Sequence, residues 1–493
     1  MNKNEYINYK RCKKAYVLEK LNPELKSDPG ENVLNNYKLA ESTFLKQFSG
    51  IKVVERTEDT ISMYNQTITF MDSAKFIANA TFIIDDSFME IDVLEMVNKN
   101  TVNIHIVSSK AHSDYTHNIE ASFYSALFSL IKIKVNNIYI YTINSKYNRE
   151  EKLNIKYLFN KEIVSPIIST TEVINDLMEA KKYNFLKDVS FVKINNGCNK
   201  HCYADKASAC PYFEKCKKEL GKNNIFEISG TSITFATKLK WYEKGIVTYK
   251  DLVGSGENYD KAKVQVETAL YGLPTYINHS KLKEFLDTIT FPAYFLDFET
   301  FSTTVPFDKN IKPYEQVACQ YSLHVLKEKN GPLEHYEHLG KEGTNTKREI
   351  AEHLVKDIPR NVCVLAYNMS FEKTQIKAMA EEFPDLRDHL LNICENMKDL
   401  MIPFKNKYYY QDEMQGSFSI KLVLPALYPD DEELNYKNLD GVHNGSEAMN
   451  AFVEMATMSE EEKEKIRKQL LDYCRLDTLA MVRILEKLYK VIE

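Results

Sequence analysis

Residues 291–300 read FPAYFLDFET, an apolar run that ends in acids. A short apolar stretch of this kind suits a buried β-strand. Side chains alternate along a strand, so Asp297 and Glu299 leave the same face at its carboxyl end. Two carboxylates converging there repel each other unless a divalent cation sits between them. Without such a cation the pair is simply an exposed acidic strand end. Outward from this string the pattern continues as strand VACQYSLHVL (317–326), helix TKREIAEHLVKDI (346–358), strand VCVLAYN (362–368) and helix SFEKTQIKAMAEEF (370–383). A long helix runs from about Ser459 to the end, with an acid-rich first turn that suits the helix dipole. This half of the chain reads as an α/β unit.

Two further elements carry acids. In AYNMSFEKT an apolar strand stops at Asn368 and a helix begins, which places Glu372 in its first turn. An acid there also offsets a helix dipole with no further task. In LLDYCRLDTLAMV, Tyr473 and Asp477 are four apart and stack on one helix face, an arrangement that is usually structural. The order is what matters: acids at a strand end, an acid at a strand-to-helix junction, then Tyr-x-x-x-Asp on a late helix.

Together these elements resemble the DnaQ-like DEDD exonucleases of the ribonuclease-H fold, in the subgroup with a tyrosine in the last motif. The strings YFLDFETF, CQYSLH, AYNMSFEK, DLMIPF, GSFSIKLVLPALYP and YCRLDTLAM, spread over residues 294–481, resemble an uncharacterised bacterial family that pairs this fold with an amino-terminal RecB-like nuclease domain. The resemblance implies a metal-dependent 3′-to-5′ exonuclease with Asp297, Glu299, Glu372 and Asp477 as ligands of two divalent cations. Mg²⁺ or Mn²⁺ suits an all-oxygen set. The usual second-motif aspartate is Glu372 here; Asp399, in MKDLMIPF, is the alternative or supplementary ligand. Tyr473, a poor base at neutral pH, would orient the attacking water. Lys421 and Asn368 are candidates to contact the nucleic acid; Lys421 also reads as an idle surface lysine.

Upstream, residues 5–48 carry helical spacing. From Ile51 to Val107 short β-branched and aromatic runs follow: IKVVERT, TITF, ATFII, FMEIDVLEMV and VNIHIV. A helix (NIEASFYSALFSLIKI) and a buried strand (NNIYIYTI) complete a second α/β core. Cys202, Cys210 and Cys216 lie in HCYADKASACPYFEKC, and Cys12 lies far away in YKRCKKAYVL. Four soft thiolates suit zinc or an iron–sulfur cluster better than a hard cation. The bracket from 12 to 216 resembles RecB-like nucleases in which a [4Fe-4S] cluster clips the domain ends together, with Cys198 a spare or substitute ligand. Cys319, Cys363, Cys394 and Cys474 lie in apolar contexts and read as core residues.

A RecB-like, PD-(D/E)XK domain should carry an aspartate and, on the next strand, E-x-K. Asp92 fits the first position, but the register puts His105 and Val107 where the glutamate and lysine belong. Lys110 sits three residues further on, beyond the strand. This nuclease site is therefore expected to be degenerate. The expected division is a RecB-like restriction-endonuclease fold over 1–222, a helical connector over 223–288, and a DnaQ-type mixed sheet with flanking helices over 289–493.

The bulk numbers limit the alternatives. A length of 493 residues suits at least two domains, and 44% hydrophobic with 27% charged residues belongs to a globular protein. No apolar stretch is long enough to cross a bilayer, and the polar, basic start MNKNEYINYKRCKK does not read as a secretory signal, so a cytoplasmic location is expected. The net charge of -6 lacks the basic excess of a protein that grips phosphate over its whole surface, although a carboxylate cluster for cations itself lowers that number. The basic run Lys10, Arg11, Lys13 and Lys14 reads as a solvated helix face or a backbone-phosphate contact. The rival class is a non-catalytic nucleic-acid-binding or scaffold protein that keeps both nuclease folds.

Overall fold

The computed structural model describes residues 1–28, 30–185, 200, 202 and 209–493. It divides into two compact units, one of Met1–Cys216 with Thr303–Tyr314, the other of Lys217–Ser302 with Glu315–Glu493. Each has a mixed sheet with flanking helices.

The first unit is built on a six-stranded sheet: β1 (Lys52–Val53), β2 (Phe76–Ile84), β3 (Ser87–Asn98), β4 (Thr101–Val107), β5 (Lys134–Ile143) and β6 (Phe159–Ile163), paired in that order. β2, β3 and β4 form an antiparallel meander, whereas β4 and β5 are parallel. A parallel pair needs a crossover, and the helix Tyr115–Leu130 lies between β4 and β5 in the chain, started by Asp114, whose side chain accepts from the Thr116 N–H. Phe82, Ile91, Ile104, Phe123, Leu127 and Ile140 share its core. One sequence expectation fails here. TITF (67–70) lies in the helix Thr60–Met71, not in a strand. Asp59 accepts from the Ile61 and Ser62 N–H groups at the helix start, and the buried residues Met63 and Thr67 are four apart, which is helical spacing. The expected helical run over 5–48 also breaks at Cys12, whose extended backbone separates the helices Lys3–Arg11 and Lys13–Leu21.

In the second unit, β7 (Tyr276–Ile277) pairs with a short strand at Tyr409–Tyr410. The main sheet contains β8 (Ala293–Phe301), β9 (Val317–Leu326), β10 (Leu333–Leu339), β11 (Cys363–Ala366) and β12 (Met397–Asp399), in the order β10-β9-β8-β11-β12. β8 is antiparallel to β9 and parallel to β11; β9 and β10 are antiparallel, β11 and β12 parallel. β10 and β12 are absent from the sequence reading. LEHYEHL is too polar to alternate cleanly and MKD is too short to carry a period, yet as edge strands both need only one row of backbone bonds. β8 is central and feeds both cores. Ala293 and Phe295 pack with Leu282, Leu424 and Met481 on one face, while Leu296 and Phe298 pack with Ile350, Leu354 and Ile376 on the other. Asp297 and Glu299 continue the first face. The stretch 223–288 contains the short helices Phe235–Glu243, Tyr249–Gly254, Lys263–Tyr271 and His279–Leu286 and belongs to this unit.

The terminal helix, Glu460–Ile492, starts in a capping box. The Ser459 hydroxyl accepts from the Glu462 N–H, and the Glu462 carboxylate accepts from the Ser459 N–H. No helix among the described residues is long and apolar enough to cross a membrane.

Candidate metal centre

The terminal helix reaches the site because polar pegs on β9 fix its register. Gln320, Ser322 and His324 alternate onto one face of β9. Gln320 Nε2 donates to the Leu470 carbonyl (2.8 Å), and the Thr478 hydroxyl meets both Ser322 Oγ (2.7 Å) and His324 Nδ1 (2.7 Å). Four strand residues span about 13 Å and eight helical residues about 12 Å, so the two ends of this clamp match in length. Between them, Tyr473 and Asp477 are carried to the acids of β8. The string CQYSLH offered no hint of this role, because Gln320, Ser322 and His324 act through partners about 150 positions away. Thr478→Val should leave His324 Nδ1 without its partner, while Ser322 keeps His335 at 2.9 Å, and lower stability by about 1–3 kcal/mol. A denaturation midpoint equal to that of wild type would refute the clamp.

On β8, Asp297 is opposite Ser322 and Glu299 is opposite Gln320. Ligand atoms of Asp297, Glu299 and Cys474 lie within 4.8 Å of one another, and this is the one such group of His, Cys, Asp or Glu found among the described residues. Cys474 is fully buried and its Sγ lies 3.9 Å from the Asp297 carbonyl oxygen. It is thus a neighbour of the acids as well as a core residue. Burial, followed by the charges of Asp297, Glu299 and Asp477, holds its thiol well above the usual range, so it stays protonated.

β11 delivers the next acid. The chain turns sharply at Asn368, at φ +74, and enters the helix Ser370–Glu382 with Glu372 in its first turn. Asp399, at the end of β12, braces this turn: its Oδ1 accepts from the N–H groups of Asn368 and Met401, both at 3.0 Å. Glu372 is 2% exposed, and its Oε2 has no hydrogen-bond partner. Of the two alternatives read from sequence, Glu372 therefore carries the unsatisfied oxygen and Asp399 the backbone bonds. Asn368 is exposed beside them.

The electrostatics record the crowding. Burial, then the charges of Asp477, Glu372 and Glu299, push Asp297 well above the usual carboxylate range. Burial and Asp477 raise Glu299 to about 8. Burial raises Glu372 to about 8, with Asp399 adding to it. Burial also raises Asp477, to about 6, opposed by hydrogen bonds from Tyr436 and Tyr473 and by the charge of Lys421. Lys421, exposed at the start of the helix Ile420–Leu427, holds its Nζ 5.9 Å from the centre of the Tyr473 ring. Tyr473, 3% exposed, is kept protonated by burial and by Asp477, Glu299 and Asp297. The residues Asp297, Glu299, Glu372, Tyr473, Asp477 and Lys421 thus share one locality. Acids so placed gain from a bound cation, which offsets a repulsion the fold otherwise carries. An all-oxygen donor set with an orphaned buried carboxylate oxygen fits Mg²⁺ or Mn²⁺.

In the first unit, Asp92 Oδ2 accepts from the Val107 N–H (2.7 Å) and Oδ1 from the Tyr37 hydroxyl (3.3 Å). Burial raises it to about 6, against the charge of Lys3, whose Nζ pairs with Glu120 at 2.6 Å. Neither Lys3 nor Glu120 was singled out in the sequence, since an amino-terminal lysine and a mid-helix glutamate announce nothing. His105 lies in a different polar group, with Glu95 (3.2 Å) and the Tyr141 hydroxyl (3.1 Å), and burial lowers it to about 4, so it is neutral. Val107 contributes only its backbone to Asp92. Lys110 turns to Asp114 instead. The basic run is also partly spoken for: Lys10 pairs with Glu172 and Asp176, and Lys13 with Glu179.

The Cys210 N–H donates to the Cys202 carbonyl (2.9 Å), and Cys12 packs beside Cys210 and Tyr212. Burial pushes the Cys210 thiol up to about 12, with Cys202 and Cys12 among the charges that act on it. Cys216 lies within the helix Phe213–Glu219. Residues 12 and 210 thus meet, although nearly the whole unit separates them in sequence. Cys198 lies outside the described residues.

Comparison with known proteins adds a family that is itself uncharacterised. Residues 294–419 match the model of a Domain of unknown function (DUF2779). That range includes Asp297, Glu299, Glu372 and Asp399 and stops short of Tyr473 and Asp477. The chain is also similar to the Uncharacterized protein MG366 of Mycoplasma genitalium, with 22% identity over 296 residues, 53% of this chain and 43% of the relative. It therefore spans less than half the length of that relative.

Proposed function

We propose that the second unit is a divalent-cation-dependent 3′-to-5′ exonuclease of the DEDD type acting on DNA or RNA. The observation that carries this reading is that the charges of Glu299, Glu372 and Asp477 all act on Asp297, each of the four acids being held above its ordinary pKa, while a buried Glu372 oxygen lacks a partner. The mixed five-stranded sheet with its acids on the central strand supports a ribonuclease-H-like assignment. Asp297, Glu299, Glu372 and Asp477 would hold Mg²⁺ or Mn²⁺, which supplies charge to polarise water and to neutralise the phosphoryl oxygens. Tyr473, held protonated, does not take the water's proton; its hydroxyl, which donates to Asp477, would accept from the attacking water and so orient it. Lys421, exposed at the rim, offers its ammonium to a backbone phosphate.

In this reading the first unit is RecB-like and no longer cuts, because no acid and lysine occupy the positions of His105 and Val107. The deciding assay follows end-labelled single-stranded DNA and RNA with Mn²⁺, comparing wild type with Asp297→Asn and Asp92→Ala. Shortening from the 3′ end that persists in Asp92→Ala and disappears in Asp297→Asn is the expected result. The reverse pattern would move the activity to the first unit. Absence of cleavage in wild type, with retained strand binding, would favour a binding protein.

Cys12, Cys202, Cys210 and Cys216 are assigned in the same proposal to a [4Fe-4S] cluster that ties the ends of the first unit together. Anaerobically purified protein should be brown and should lose its visible absorbance in Cys210→Ser. Colourless protein with one bound zinc would replace the cluster by zinc.

A further inference from the structure

We propose that Tyr436 is a positioning residue of the carboxylate site, its hydroxyl holding Asp477 Oδ1 and leaving Oδ2 for ligation. The inference rests on the metal-dependent reading above and assigns a role to a residue outside the four-acid pattern. The Tyr436 hydroxyl donates to Asp477 Oδ1 at 2.5 Å, across 41 positions of sequence. Its ring centre lies 6.0 Å from that of Tyr473, so the two tyrosines flank the same carboxylate.

The segment that carries Tyr436 is tied down on both sides. Upstream, the Tyr428 hydroxyl donates to the Arg483 carbonyl (2.8 Å), and Asn438 Nδ2 donates back to the Glu432 carbonyl (3.0 Å). Asn435 caps the single turn Tyr436–Asn438 by accepting from the Lys437 N–H. Downstream, Gln469 Nε2 donates to Asp440 Oδ2 (3.1 Å). At Gly445 a Cβ would stand 3.7 Å from Glu299 Oε2, so the segment begins its crossing at Asp477 and ends it beside Glu299. A tyrosine held this firmly does not solvate a carboxylate by chance of surface mobility. It selects which oxygen of Asp477 is available, as partners of metal-ligating groups do when they set ligand orientation.

The two tyrosines then have separable tasks. Tyr473 also donates to Asp477 but serves chiefly the water, and its loss should slow turnover by more than it weakens cation binding. Tyr436 acts through Asp477, and its loss should weaken cation binding even in the absence of any nucleic acid. The test is direct titration of the full chain with Mn²⁺, read by the electron paramagnetic resonance of the free ion, for wild type, Tyr436→Phe, Tyr473→Phe and Asp477→Asn. Tyr436→Phe removes one oxygen and keeps the ring, and melting in EDTA checks that it folds. Weakening by about tenfold or more in Tyr436→Phe is expected, with Tyr473→Phe weakened less and Asp477→Asn the weakest. Equal affinity of Tyr436→Phe and wild type would overturn the positioning role alone. Wild type that binds no Mn²⁺ would overturn the metal reading and this inference with it.

Discussion

Asp297→Asn is expected to reduce phosphodiester hydrolysis by about 10³-fold or more and, in the same protein, to raise the melting temperature of the cation-free state. The two effects share a cause. Asp297 is the acid on which the others converge: burial, Asp477, Glu372 and Glu299 all raise its pKa. Asparagine preserves the shape and removes the charge. Cations then lose a ligand that joins the β8 acids to Asp477 and Glu372, and a loss of about 10³-fold corresponds to about 4 kcal/mol of transition-state stabilisation. The cation-free protein meanwhile no longer has to protonate a buried acid in order to fold, and about 1 kcal/mol of relief would move the midpoint by roughly 2–4 °C. A site kept for chemistry at the expense of stability behaves in this way. Scanning calorimetry in EDTA, run beside the cleavage assay, reads both. A variant that is inactive and also less stable would mean that Asp297 holds the fold together, and the proposal would lose its main support.

The second large effect is on pH. Glu299 and Glu372, raised to about 8, and Asp297, raised well above its ordinary range, bind protons in the folded chain that the unfolded chain has released. Where the folded state binds more protons, stability falls as pH rises, by about 1.4 kcal/mol per pH unit for each excess proton. For these acids the favourable contribution is present at low pH and is lost on approach to about pH 8. Buried neutral histidines work in the opposite direction: His324, lowered to about 3 by burial and then by His335, and His335, lowered to about 4 by burial and then by Arg475, reduce stability as pH falls below the ordinary histidine value. The acids are therefore read most cleanly between about pH 6.5 and 8. A fall of about 2–4 kcal/mol across that window is expected in EDTA. Saturating Mn²⁺ should flatten it, because ligation requires the deprotonated carboxylates and the bound ion stabilises the fold. Melts that are flat in EDTA, or that respond to pH equally with and without Mn²⁺, would show that the four acids do not act as one site.

Much of the second unit was legible because its strong signals are local. FPAYFLDFET announces a central strand through its apolar run, and its two acids must share a face because strand geometry alternates. The Ser459 start of the terminal helix is written in its capping residues. Tyr473 and Asp477 stack because they are four apart. Signals failed where local pattern and tertiary demand diverged: TITF has strand-like composition but is held in a helix begun at Asp59, and LEHYEHL becomes an edge strand whose polarity hides its period.

The sequence by itself determined which acids stand at strand ends and helix starts, since these follow from strand and helix periods of about two and 3.6 residues acting over a few positions. Only the tertiary structure decided which of them meet. The β9 pegs that set the helix register, the Glu372 oxygen left without a partner, Asp399 as a brace, Cys474 beside the acids and Tyr436 reaching Asp477 all depend on contacts between residues distant in sequence. Such contacts are chosen by packing of the whole unit, and no local pattern encodes them.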